Sequence, residues 1–226
     1  ASSDGANPIS TNATFTNDGS KKEFYVDEAF IDVKLGENIQ LDLGKQPNNL
    51  AVLSDSQLIY DADYTPEGAS LSMNRGDSMP IFLNLGAFTI QQHTPSSPDA
   101  GLLGAVLGVK SKGSDMGYMA ALGYHDFTHI KGNAALAPTS TLVPFEGNSN
   151  DGVNYLYDYQ VGEIVGEFHF KTSGVRISVY ADGIQNFAVT RKNTGVLAGA
   201  NLNTLSDEGK KIWTFGYAYQ SLAQDA

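Results

Sequence analysis

The sequence predicts an all-β fold, an antiparallel up-and-down meander that forms part of a transmembrane β-barrel, with about ten strands present and the barrel incomplete. Three observations predict it. Apolar and polar residues alternate along short segments, giving each segment one greasy and one wet side. The links between segments alternate between short and long. No run approaches the eighteen or so consecutive apolar residues of a spanning helix, whereas a spanning strand needs only about nine to eleven.

The opening pair is the clearest. Residues 24–35 and 39–43 flank Gly36-Glu37-Asn38, and one register holds Ala29, Ile31, Val33 and Leu35, continued by Ile39, Leu41 and Leu43. Glu28, Asp32, Lys34, Gln40 and Asp42 fall on the other register. A third strand is expected over 69–74, with Ala69, Leu71 and Met73 on one face, and a fourth over 79–90, carrying Ile81, Leu83, Leu85 and Ala87. The fifth, 101–110, sets Leu103, Ala105, Leu107 and Val109 against the glycines at 104 and 108. The sixth, 115–127, and the seventh, 155–170, are followed by an eighth, 175–184, in which Val175, Ile177 and Val179 oppose Arg176, Ser178, Tyr180 and Asp182. The ninth covers 195–203. In the tenth, 212–220, Trp213, Phe215, Tyr217 and Tyr219 share a face.

Strands one and two, three and four, five and six, seven and eight, and nine and ten are joined by short turns, whereas the links over 45–68, 91–100, 127–154 and 185–194 are longer. Turns on one side and loops on the other is how a meander crosses a bilayer, with the turns periplasmic. A Greek-key sandwich has no reason to keep that parity. By the same parity the first strand runs toward a turn and the tenth away from one, while bacterial barrels start and finish on the periplasmic side. The expectation is therefore one domain over 1–226, truncated at both ends, with a polar N-terminal loop over 1–22 and two open sheet edges.

Composition narrows the function classes. The net charge of -11 and the lack of any Lys/Arg-rich stripe argue against a nucleic-acid partner. With no cysteine, neither a disulfide framework nor a thiolate metal site can form. The 24 glycines and 11 tyrosines suit close-packed strands and aromatic interfacial belts. Tyr25, Tyr118, Trp213, Tyr217 and Tyr219 are accordingly expected near strand ends on the outer face.

Candidate chemistry is sparse. His125 and His129 are the closest histidine pair, yet four residues along a strand separates them by roughly 13 Å and no third ligand follows, so no metal is expected and both are read as loop-rim residues. Asp61, Asp63 and Glu67 lack the spacing of a calcium loop and read as part of a Pro-Glu-Gly turn. No nucleophile elbow, phosphate loop or His-Glu-x-x-His motif occurs, so neither an enzyme nor a cofactor is expected. What remains is the wet face. With the aliphatic faces in lipid, a lumen would be lined by Glu28, Asp32, Lys34, Gln40, Asp42, Arg176, Ser178, Tyr180 and Asp182, a mixed lining whose excess of carboxylates favours cations modestly.

Several segments carry a family resemblance. Val26-Asp27-Glu28-Ala29-Phe30-Ile31-Asp32, then Leu41-Asp42-Leu43-Gly44-Lys45-Gln46-Pro47-Asn48, then Asp61-Ala62-Asp63-Tyr64-Thr65-Pro66-Glu67-Gly68-Ala69 resemble the "putative porin" family of Gram-negative outer membranes. Leu85-Gly86-Ala87-Phe88, Asp126-Phe127 with Lys131-Gly132, and Trp213-Thr214-Phe215-Gly216-Tyr217-Ala218-Tyr219 with Asp225-Ala226 are similar to it as well. Where the family often has arginine this chain has Lys45, which keeps the charge and loses bidentate pairing. The resemblance implies a longer parent protein, a bacterial outer-membrane location, contact with membrane lipid, and passive diffusion of small hydrophilic solutes or ions, with homo-oligomers left open. The alternative reading is a secreted or surface-attached β-sandwich that binds glycans or surfaces through its long loops. It requires the same aliphatic residues to pack against a second sheet. Whether the longest loop, 127–154, folds inward or stays outside is not decided by sequence.

Overall fold

A chain in which every second residue is apolar satisfies its backbone by pairing in a register that keeps those residues on one side. The computed structural model, which describes residues 26–76, 80–92, 98–111, 113, 115–136, 145–206 and 209–226, contains ten such strands. They are β1 (Ala29–Lys34), β2 (Ile39–Lys45), β3 (Glu67–Arg75), β4 (Ile81–Gln91), β5 (Ala100–Lys110), β6 (Met116–Thr128), β7 (Tyr159–Thr172), β8 (Val175–Asn186), β9 (Thr194–Leu205) and β10 (Lys211–Leu222). Each pairs antiparallel with the next in one sheet of order β1 to β10, and β1 and β10 are open edges. The sheet is an unclosed meander, the form of part of a barrel wall.

Register builds an apolar outer face. Leu83 lies opposite Leu107, Leu107 opposite Leu122, and Leu122 opposite Ile164, so one row crosses four strands. A second row runs Val33, Leu41, Leu71, Leu85, Ala105 and Tyr124. These side chains are bare: Leu107 is 54% exposed, Leu122 62% and Ile164 65%. Among the described residues no second sheet and no helix covers them. The sandwich alternative fails at this point, because its aliphatic core would have to be enclosed.

The opposite face is where burial concentrates. Phe82, Phe88, Leu102, Val106, Ala121, Val161, Val165 and Leu197 are all buried. They alternate with the exposed aliphatics, so the core lies on the polar side of the pattern.

Several expected boundaries move. The first strand begins at Ala29 instead of residue 24, and 24–25 lie outside the described residues. The third starts at Glu67, two residues early, because Lys45 pairs with Glu67 and Gly44 with Gly68. The seventh starts at Tyr159, not 155, since Tyr155 instead bridges Asn150 and stacks edge-on against Phe145, 5.0 Å between ring centres. Of the aromatic residues expected near strand ends, Tyr118 and Trp213 stand near turn-side ends and Tyr219 near a loop-side end, all facing outward. Tyr217 also faces outward but sits mid-strand, and Tyr25 lies outside the described residues.

Gly44 shows what the register demands of the backbone. Its φ of 125° is a conformation that side chains avoid, and a Cβ there would collide with the Ala29 carbonyl across the ladder. Gly36, in the first turn, has open space around it. Gly44→Ala is therefore expected to destabilise the sheet by more than about 1 kcal/mol, and Gly36→Ala to stay within about 0.5 kcal/mol. Urea midpoints of the two variants in detergent check this, and equal midpoints would refute it.

Candidate functional site

Residues 46–66, the β2–β3 loop, are richer in apolar side chains than a solvated loop tolerates: Leu50, Val52, Leu53, Leu58, Ile59 and Tyr60. They need somewhere to go. The loop turns onto the inner face and crosses it, and Leu50, Leu53, Leu58 and Tyr60 are buried there.

Its feet are fixed first. The Lys45 ammonium donates to the Thr65 carbonyl and hydroxyl, both at 2.8 Å, and Gln46 N–H donates to the Pro66 carbonyl at 2.9 Å. Ser70 Oγ donates to Gln46 Oε1 at 2.8 Å, and Thr65 Oγ1 to Asp27 at 3.1 Å. Next comes Asn49, whose amide donates to Ser72 Oγ at 3.2 Å and to the Leu85 carbonyl at 3.2 Å, while Asn84 Nδ2 donates to the Asn49 carbonyl at 2.6 Å.

Leu50 then seats in a notch. Gly86 and Gly104 are partners across β4 and β5; a Cβ on Gly104 would run into the Leu50 side chain, and one on Gly86 would strike the Phe88 ring and crowd Leu50. The leucine is wholly buried because two neighbouring strands both omit a side chain at that point.

Further along, the loop reaches the far strands. Asn201 on β9 donates from Nδ2 to Asp55 Oδ2 at 3.2 Å, and Ser56 Oγ donates to Asp182 Oδ2 on β8. On the return limb Tyr60 stacks on Tyr64, 5.8 Å between ring centres and 6° between planes, and its hydroxyl lies 2.7 Å from His125 Nδ1. His125 Nε2 is 3.1 Å from Glu163 Oε2. Tyr60, His125 and Glu163 form one hydrogen-bonded chain from the loop to β7. One segment thus touches the inner face from β3 to β9.

Residues 1–155 match the model of a family described as "Putative porin". The chain belongs to that family. No curated protein and no solved structure matches it.

In this porin-family chain the nine residues expected to line a lumen fall into three groups. Glu28, Asp32 and Lys34 are exposed on or beside β1, and Gln40, Asp42 and Arg176 are half-buried. Gln40 Nε2 donates to both Asp42 oxygens, at 3.0 and 3.1 Å. Ser178, Tyr180 and Asp182 are buried on the side where the crossing loop reaches β8 and β9. The histidines also part. His129 is exposed at a loop rim, whereas His125, expected beside it, is fully buried inside the sheet because its strand parity points it at Tyr60.

Sequence reading missed the crossing loop itself. It weighed the longest link, but the described part of that link stays at the loop-side end, where Ile130, Phe145 and Tyr155 are buried. There it lines, with Leu58, Ile59 and Leu222, a cavity of about 410 Å³. The signal for the shorter loop was its surplus of aliphatic residues. Asp61 and Asp63 belong to its return limb, where Tyr64 N–H closes a turn on the Asp61 carbonyl at 3.1 Å.

Two outcomes follow from this geometry. Leu50→Ala should weaken docking of the loop by roughly 2–5 kcal/mol, and Gly104→Val should expel Leu50 altogether. Amide hydrogen exchange over residues 49–56 reads both, and unchanged protection in both variants would refute the seat. Burial also pushes the Tyr64 phenol from 10.0 up to about 12, while burial first, then the Glu163 charge and Tyr64, push the Tyr60 phenol well up. A raised phenol contributes stability that is complete below pH 10 and lost as pH climbs from there to the folded value. Hydrogen exchange in the loop should therefore accelerate between about pH 10 and 12 beyond its intrinsic rise, and less so in Tyr64→Phe.

Proposed function

We propose that this chain forms part of the wall, and the narrowing element, of an outer-membrane channel through which small hydrophilic solutes or ions diffuse passively. The observation that carries the reading is the pairing of a bare aliphatic outer face with an inner face that mixes polar side chains with a buried apolar cluster and is partly filled by a loop folded inward. An aliphatic belt of this kind is stable against hydrocarbon and costly against water. Strand length agrees: β4 to β10 run from 11 to 14 residues, and about nine to eleven tilted residues cross a bilayer. Membership of the porin family supports the same conclusion.

On this reading Glu28, Asp32, Lys34, Gln40, Asp42 and Arg176 face the aqueous path. Ser178, Tyr180 and Asp182 lie where the crossing loop meets the wall. The path itself runs along the loop's uncovered flank, past β1 and β2 on one side and β10 on the other. No step in this role makes or breaks a covalent bond.

Single-channel recording of the complete protein in a planar lipid bilayer tests the proposal. Steady ohmic conductance is expected, rising several-fold when residues 47–65 are replaced by a short Gly-Ser linker, because the lumen widens where the loop stood. Absence of conductance from the refolded wild-type protein would refute the channel. Equal conductance of the two would refute the narrowing.

A further inference from the structure

We infer that Asp55 is the residue that makes this channel prefer cations, an inference that rests on the reading of the chain as a channel wall narrowed by residues 46–66. The loop segment holds Asp55, Asp61 and Asp63 and no Lys or Arg, so the narrowing element carries negative charge only. Of these three, Asp55 is the one that contacts β9, farthest across the sheet from the loop's feet at β2 and β3.

Its surroundings leave the charge intact. Asp55 is exposed, and its partner is the neutral Asn201 amide, which fixes the carboxylate in place without cancelling it. The residues opposite Asn201 on the adjoining strands are Ser178 and Gly216, both uncharged. The inward positions of β10 beside it are Thr214, Gly216, Ala218 and Gln220, small or neutral and all exposed. Arg176, paired with Asn203 one inward step toward the turns, is the nearest wall cation along this register, with Lys171 opposite it on β7.

Four other inner carboxylates are placed differently. Asp182 is buried and accepts from Ser56, Glu163 is held by His125, Asp42 is bracketed by the Gln40 amide, and Glu167 is half-buried in the wall of β7 opposite Tyr180, not on the narrowing element. Asp32 and Lys34 stand two apart on one face of β1, where their fields largely offset. Asp55 is thus a fixed carboxylate on the uncovered flank of the narrowing element. A solute passing there meets one negative charge at close range, between protein walls that screen it less than bulk water does.

A unit charge about 6 Å away, in a water-like medium, enriches a monovalent cation roughly threefold and depletes an anion to the same degree. The cation-to-anion permeability ratio should therefore fall by about tenfold when the charge is removed. The experiment is the reversal potential of the complete protein in a planar bilayer under about a tenfold KCl gradient, for wild type, Asp55→Asn, Asp55→Lys and Asp32→Asn. Asparagine can keep the contact with Asn201, so the loop stays docked. Asp55→Asn is expected to lose most of the cation preference, Asp55→Lys to favour chloride, and Asp32→Asn to change the ratio by less than about twofold. A conducting Asp55→Asn channel with the wild-type reversal potential would overturn the assignment and leave the channel reading standing. No current from wild type would remove the channel reading, and this inference with it.

Discussion

The structure depends on one constraint: a single sheet cannot leave both of its faces without a partner, and here the inner face is covered by the chain's own β2–β3 loop. Leu50, Leu53, Leu58 and Tyr60 supply apolar surface that the inward side chains of β4 to β9 need, and those strands give the loop a dry surface to lie on. Each fully buried aliphatic side chain contributes on the order of 1.5–3 kcal/mol, which together with the polar contacts offsets the entropy of holding the connection in one path. The outer face needs a different partner. On the proposed reading, lipid tails would match its bare leucines, isoleucines and valines.

Polar groups decide where the loop goes, and apolar ones decide that it stays. Asn49 and Asn84 exchange bonds that set its entry over β3 and β4, the glycine pair receives Leu50, and the chain of Tyr60, His125 and Glu163 fixes the return limb over β6 and β7. Every one of these wall residues lies on the inner side of its strand: Asn84 and Gly86 two apart, Gly86 opposite Gly104, Gly104 opposite His125, and Glu163 diagonal to His125. A slip of one residue would turn them all to the outer face.

Much of the fold was legible because alternation reports directly on strand faces. Ile31, Leu107 and Val179 share an exposed face, and Asp32, Gly104 and Ser178 the other, as period-two reading requires. The parity of short and long links placed the ten strands in order. The loop's path was not legible, because no periodicity governs it: the glycines at 104 and 86 mark a missing side chain, and nothing local says that Leu50, far away in sequence, fills the space. For the same reason His125 looked like a rim residue. Its depth depends on Tyr60, a contact across sixty-five positions. The start of the seventh strand was displaced because Tyr155 pairs within its own loop, a competition that β-propensity does not weigh.

The Lys45 clasp has an evolutionary corollary. With Lys45 gripping Thr65, and Gln46 joined to Pro66, the two feet of the loop are tied independently of what lies between them. Lengthening a tied loop costs little, about 0.6 kcal/mol for each doubling. Insertions or deletions inside the tie can thus change how much of the inner face is covered while strand number and ladder register stay as they are. In a channel of the proposed kind, size cut-off and wall architecture would become separately adjustable traits.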